Sequence, residues 1–198
     1  MKDLLNRKNV VRWMRLLAGL GLASIGIALM IRASIGLGPW DVLHQGISIH
    51  TGWPMGRVSI LVGALLMISW FPLGERPGPG TLLNIVLIGL FLDLFLGILP
   101  TLTWLPGQIF QMVAGIVVMG VGSGLYLSAS LGAGPRDGLM MALVRRTGLS
   151  VRMVRTGIEL VALGGGWALG GSIGIGTLAF ALGVGPVVQL TLQVLGRE

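Results

Sequence analysis

Residues 33–41 read ASIGLGPWD and residues 129–137 read ASLGAGPRD, the same pattern 96 positions later. Such a recurrence constrains the fold strongly, because each copy must fill an equivalent place in a duplicated architecture. The matching continues at the same offset without gaps. Gly19 and Gly26 match Gly115 and Gly122, Thr51-Gly52 matches Thr147-Gly148, and Gly74 matches Gly170. Gly78, Gly80 and Thr81 match Gly174, Gly176 and Thr177, and Gly89 matches Gly185. Apolar identities arise by chance in an apolar chain. Matches of Pro39 with Pro135 and Asp41 with Asp137 at one offset do not.

The chain that carries this repeat is built for lipid. It is 54% hydrophobic and 11% charged, with mean hydropathy +0.89, whereas soluble chains are about a quarter charged. No charge occurs from Leu94 to Pro135 or from Leu160 to Gly196, and each gap exceeds one span of about 20 residues. The fold class is therefore an all-α polytopic membrane protein, a single membrane domain over 1–198. Six transmembrane spans are expected at about 14–32, 57–74, 80–99, 107–130, 153–170 and 174–195, divided into a first repeat, 13–99, and a second, 107–195. The first run has the basic start and apolar stretch of a signal peptide. Its counterpart at 112–128 lies deep in the chain, so it reads as a retained helix.

Three spans per half is an odd number, so the halves must enter the membrane from opposite sides. Charge agrees. With a cytoplasmic N-terminus, Lys2, Arg7, Lys8, Arg12, Arg15, Arg76, Arg136, Arg145, Arg146, Arg152, Arg155 and Arg197 fall inside, and Arg32 and Arg57 outside. This is the positive-inside pattern. Equivalent positions sharpen it: Trp40, Ile49, His50, Gly56 and Ser59 become Arg136, Arg145, Arg146, Arg152 and Arg155. An inverted-topology repeat with both termini cytoplasmic accounts for the exchange.

Within the motif, Pro39 suits the first turn of a helix and Asp41 complements its free N–H groups, while Gly52 suits the C-terminal cap. Short helices are expected at 39–50 and 135–146. One reading lays them on the membrane surface. The other makes each a re-entrant loop: residues 33–38, extended, reach up to about 20 Å, and the helix returns. Re-entry would bring two glycine-rich helix N-termini to one central point, as inverted-repeat transporters do. The binding candidates are then Gly36, Gly38, Asp41, His44, Gln45, Gly132, Gly134 and Asp137. Asp41, His44, Gln45 and Ser48 share one helical face, a stripe that the second copy lacks.

Asp93 and Glu159 lie within spans, where acids are costly and functional candidates; proton coupling is the role expected of them. Arg155 stands one turn before Glu159 and can pair with it. GPGT at 78–81 and GIGT at 174–177 read as tight turns that open a helix. Gly120 and Gly124 have the spacing of close helix packing, and Trp13, Trp53, Trp70, Trp104 and Trp167 fall near span ends, as an interfacial belt would. No cysteine is present, the histidines are His44 and His50, and no hydrolase, zinc-protease or phosphate-loop pattern occurs. No catalytic residue, metal, cofactor or nucleic-acid partner is therefore expected, and the chain is not read as an enzyme.

The run IGLGPWDVLHQGIS, then TG, then LGERPGPGTLLN, resembles the YczE/YyaS/YitT group of bacterial integral membrane proteins, and is most similar to its YczE branch. The resemblance covers nearly the whole chain. It implies a multi-pass protein of the bacterial plasma membrane, and carries no substrate or catalytic residue. From the architecture, the expected function is a small secondary transporter or channel-like permease. Its solute would be small, an anion among the candidates, held between the repeats. The alternative is a non-transporting scaffold or regulator whose arginine-rich segment, 136–155, binds a protein partner or anionic lipid.

Overall fold

Proline and glycine punctuation sets the element boundaries. In a computed structural model, which describes residues 7–196, the helices are α1 (Arg7–Ala33), α2 (Pro39–Thr51), α3 (Met55–Trp70), α4 (Pro79–Ile98), α5 (Leu105–Ser128), α6 (Pro135–Thr147), α7 (Val151–Ala168) and α8 (Ile175–Leu195). A 3-10 turn, Phe71–Leu73, extends α3, and no strand occurs among the described residues. Five segments are long and apolar enough to cross a membrane: Asn9–Ala33, Met55–Leu73, Pro79–Ile98, Leu105–Ser128 and Ile175–Leu195. The span expected at 153–170 is a helix, α7, but Arg152, Arg155 and Glu159 keep it out of that set. Lys2 and Arg197, counted above among the cytoplasmic charges, lie outside the described residues, as do the side chains of Arg7 and Lys8.

The backbone repeats its unusual conformations at the sequence offset. Among the described residues, positive φ occurs at Ser34 (56°) and Ser130 (51°), Gly36 (120°) and Gly132 (138°), Gly52 and Gly148 (both 69°), and Gly74 (79°) and Gly170 (82°). Every one of these pairs is 96 positions apart. The short helices start with Pro39 and Pro135 behind extended Gly38 and Gly134, and end in left-handed Gly52 and Gly148.

Glycines then bring helices into backbone contact. A Cβ on Gly26 would lie 2.6 Å from the Gly115 carbonyl oxygen, and one on Gly19 2.7 Å from that of Gly122. Ascending α1 thus meets descending α5, so the two are antiparallel. Gly120 faces Val187 and Gly124 faces Thr191, which makes α5 and α8 parallel, and the close packing expected of those glycines is present. Ser24 and Arg32 of α1 donate to the Ile88 and Leu96 carbonyls, which makes α1 and α4 parallel as well. Ile27, Met30, Leu92, Met112 and Ile116 fill the core among α1, α4 and α5. Large apolar side chains such as Leu65, Phe110, Val161 and Leu182 point outward, the reverse of a water-soluble bundle.

The two halves interlock through their motif loops. Gly176 N–H donates to the Ile35 carbonyl at 2.9 Å, and Gly80 N–H donates to the equivalent Leu131 carbonyl at 2.9 Å. The GPGT and GIGT turns therefore each grip the motif loop of the opposite half. Thr81 and Thr177 shape those turns by accepting from Gly78 N–H and Gly174 N–H, both at 3.2 Å. Thr81 also donates to Ala133 O at 2.8 Å.

Candidate functional site

Each short helix runs from the interior to the surface. In α2, Pro39, Trp40, Asp41, Val42 and His44 are buried, whereas Ile49, His50 and Thr51 are exposed. In α6, Pro135 and Gly138 are buried, and Arg145, Arg146 and Thr147 are exposed. The buried starts converge: Arg136 Cζ lies 5.0 Å from the centre of the Trp40 ring, a cation–π separation. Residues 40 and 136 are equivalent positions in the repeat, so this contact marks the meeting point of the two halves.

A cavity of about 630 Å³ opens around that point. Its polar lining includes Asp41, His44, Arg136, Asp137, Arg155 and Glu159. Gly38 and Gly134, behind the helix starts, also face it. Asp137 Oδ2 accepts from the Tyr126 hydroxyl at 3.2 Å. His44 Nδ1 stands 3.6 Å from Asp41 Oδ1. Each carboxylate folds back over its own first turn: Asp41 Oδ2 and Asp137 Oδ2 lie 3.3 and 3.0 Å from where a Cβ on Gly38 or Gly134 would stand. At the cavity mouth Arg155 Nε donates to Glu159 Oε1 at 3.0 Å, the pairing expected from their spacing.

The other residues singled out from the sequence lie elsewhere. Gly36 and Gly132 pack against the opposite turns, with a Cβ on Gly36 2.7 Å from Gly174 N and one on Gly132 2.7 Å from Thr81 Oγ1. Gln45 accepts from Ser172 N–H at 2.6 Å and ties α2 to the loop before α8. Asp93 sits between helices: its Oδ1 accepts from Gly56 N–H at 2.6 Å. The polar stripe on α2 thus divides, with Asp41 and His44 toward the cavity and Gln45 and Ser48 toward loops. Trp70 is not at an interface with lipid headgroups; it is 2% exposed and its indole N–H donates to Pro135 O at 3.0 Å.

Arg136 is the residue that sequence reasoning placed furthest from its position. As one of many arginines it reads as a loop charge, yet it lies in the cavity against Trp40. Tyr126, Asn84 and Gln189 also line the cavity without a motif to announce them. The signal for Arg136 was present in the offset: its twin is Trp40, just inside the helix start that the repeat had already marked.

Similarity to known proteins agrees with this architecture at the level of a membrane protein. The chain is 42% identical over 186 residues to a Bacillus subtilis protein described as the uncharacterized membrane protein YczE, covering 92% of this chain and 86% of that one. A Haemophilus influenzae protein is 42% identical over 182 residues, covering 92% and 84%. Bacillus subtilis YyaS is 25% identical over 184 residues, covering 91% and 92%. No solved structure matches the chain. Five apolar helices and this kinship make it a membrane protein. Residues 10–193 match the pattern of DUF6198, a family of unknown function, and the chain belongs to that family.

Proposed function

We propose that the chain is a small permease whose solute occupies the cavity between two inverted halves. The observation that carries this reading is the meeting of Trp40 and Arg136, equivalent residues at two half-helix starts, inside a cavity of about 630 Å³. Half-helices that end at mid-depth leave backbone polar groups there, and such backbone is tolerated in a membrane where it lines a cavity or is buried in protein. The antiparallel α1 and α5, with α4 beside one and α8 beside the other, support inverted topology with α7 as the sixth span. Its charges then face the cavity and the cytoplasm. Arg12, Arg15, Arg76, Arg145, Arg146, Arg152 and Arg155 gather at one end of the bundle and Arg32 and Arg57 at the other, which supports a cytoplasmic arginine-rich end.

The geometry bears on the solute. Helix N-termini attract anions, but here Asp41 and Asp137 already lie against their own first turns. With Arg155 paired to Glu159, the centre holds two carboxylates and one guanidinium, Arg136. A small solute carrying an ammonium or other cationic group, alone or in a zwitterion, complements that balance better than the anion expected from sequence.

Thermal unfolding of the detergent-purified protein against small amines, amino acids and anions tests this reading. A solute at about a hundred times its dissociation constant adds roughly 2.7 kcal/mol. The expected result is a dose-dependent rise with a cationic or zwitterionic solute that is lost in Asp137→Asn and Asp41→Asn. A rise given by anions alone would overturn the charge assignment. No rise across the panel, with arginine-dependent binding to anionic vesicles instead, would favour the scaffold reading.

A further inference from the structure

The two halves are not packed alike. In the first, α3 packs along α4: a Cβ on Gly56 would lie 2.0 Å from the Gly89 carbonyl oxygen, and one on Gly63 3.2 Å from Ile85. The Gly56 N–H to Asp93 hydrogen bond, 2.6 Å, latches the α3 start to the last turns of α4. The equivalent helices of the second half, α7 and α8, stand apart. Gly185, the twin of Gly89, has nothing within 4 Å of its Cβ position. Arg152 and Gln189, the twins of Gly56 and Asp93, are both exposed. The cavity fills the resulting gap, with Arg155 and Glu159 of α7 on one side and Gly185 and Gln189 of α8 on the other.

Burial of equivalent residues tells the same story. Gly36, Trp40 and Asp41 are buried, whereas Gly132, Arg136 and Asp137 are partly exposed. The centre is therefore less enclosed on the side of the second half.

We infer that α3–α4 and α7–α8 are alternating gates, and that this structure is the state with the α7–α8 gate open and the α3–α4 gate latched by Asp93. The inference rests on the permease reading above. Closing α7 on α8 needs a small residue where the helices cross, and Gly185 supplies one; Arg152 and Glu159 stand where α3 has Gly56 and Gly63, so α7 closes by a looser approach than the α3–α4 crossing. Opening α3 from α4 breaks the Gly56–Asp93 hydrogen bond and parts the contacts of Gly63 with Ile85 and of Gly89 with Ile60.

The chain contains no cysteine, so a pair introduced as Arg152→Cys with Gln189→Cys reports closure directly. A disulfide needs Cα atoms within about 7 Å, and these positions are the twins of Gly56 and Asp93, which meet across the latched gate. In membranes under mild oxidation the pair is expected to cross-link, by transient closure. Adding Asp93→Ala, which removes the latch, should speed cross-linking about tenfold or more, the worth of a hydrogen bond to a carboxylate. Adding Gly185→Leu, which fills space that is empty here, should leave the melting temperature unchanged and stop cross-linking. Because this last variant leaves the observed state intact, misfolding of Asp93→Ala does not blunt the test. Cross-linking that is absent, or indifferent to Gly185→Leu, overturns the gates. The solute-dependent melting described above reads the site independently: solute binding without gated cross-linking leaves a channel-like permease, and gated cross-linking without solute binding removes the permease but keeps the motion.

Discussion

The crossing of α1 and α5 gives the most direct test of the packing. Consider Gly26→Ala. The added Cβ would lie 2.4 Å from Met119 N, 2.6 Å from Gly115 O and 2.6 Å from Met119 Cβ. Two of these are backbone atoms, which cannot rotate aside. To restore ordinary contact the helices must part by about 0.8–1 Å, and a gap of that size forfeits a quarter to a half of each dispersion contact. One buried leucine makes some 40–60 contacts of about 0.1–0.2 kcal/mol. A crossing that loses contacts on that scale gives up about 2–3 kcal/mol, and the better helix propensity of alanine returns at most about 1 kcal/mol. The net is about 2 kcal/mol, or roughly 4–8 °C for a chain of this size. Gly21→Ala is the control, because nothing lies within 4 Å of its Cβ position in the same helix; it should melt at or slightly above wild type. Unfolding in detergent micelles, followed by intrinsic tryptophan fluorescence, measures both. If Gly26→Ala melts within about a degree of Gly21→Ala, the close approach of α1 to α5 and the antiparallel reading drawn from it are wrong.

Two further changes probe the interlock between halves. Thr81→Val removes a buried hydroxyl that accepts from Gly78 N–H and donates to Ala133 O, and should cost about 2–4 kcal/mol; Thr81→Ser, which keeps both bonds, should recover most of it in the same melt. Gly138→Ala would put a Cβ 2.0 Å from the Trp70 ring, so its cost should shrink by at least about 1 kcal/mol when made in a Trp70→Leu background. Equal costs in both backgrounds would mean that α6 does not rest on Trp70.

Local punctuation was fully legible in the sequence. Pro39 and Pro135 begin the short helices and Gly52 and Gly148 end them, so the expected bounds, 39–50 and 135–146, differ from the observed ones by one residue. These signals are local: a proline ring and a left-handed glycine fix φ whatever surrounds them. What surrounds a side chain is not local. Asp93 within an apolar span reads as a candidate for proton coupling, and nothing in the sequence says that its carboxyl group accepts a backbone hydrogen bond from the start of α3. Residues 78–81 read as a turn that opens a helix, and they are the cap and first residues of α4, yet nothing nearby in the chain says that they hold residues 131–133 of the other half. The offset tells which residues are equivalent. Only the antiparallel crossing of α1 and α5 tells which equivalents meet.

That distinction explains the centre of the molecule. A contact off the repeat axis occurs twice, and each copy can be solved separately. At one, Gly166 admits the backbone of Val42 and Leu43; at its twin, Gly138 admits the ring of Trp70. Residues 42 and 138 are equivalent, as are 70 and 166, so the bulky partner has simply moved across the interface while the close fit is kept. A contact on the axis occurs once, between equivalent positions, and has no second copy to trade with. Identical residues there would face themselves. Two arginines would set like charges together in a partly dehydrated cavity, where repulsion is poorly screened. Two tryptophans would bring no charge to offset Asp41 and Asp137. Trp40 against Arg136 avoids both: the ring face meets the guanidinium, and the guanidinium supplies one positive charge beside two carboxylates. Two copies of one identical half could not make that pairing. A single chain holding two halves that differ at this position can, and the centre of the cavity is where the difference has most effect.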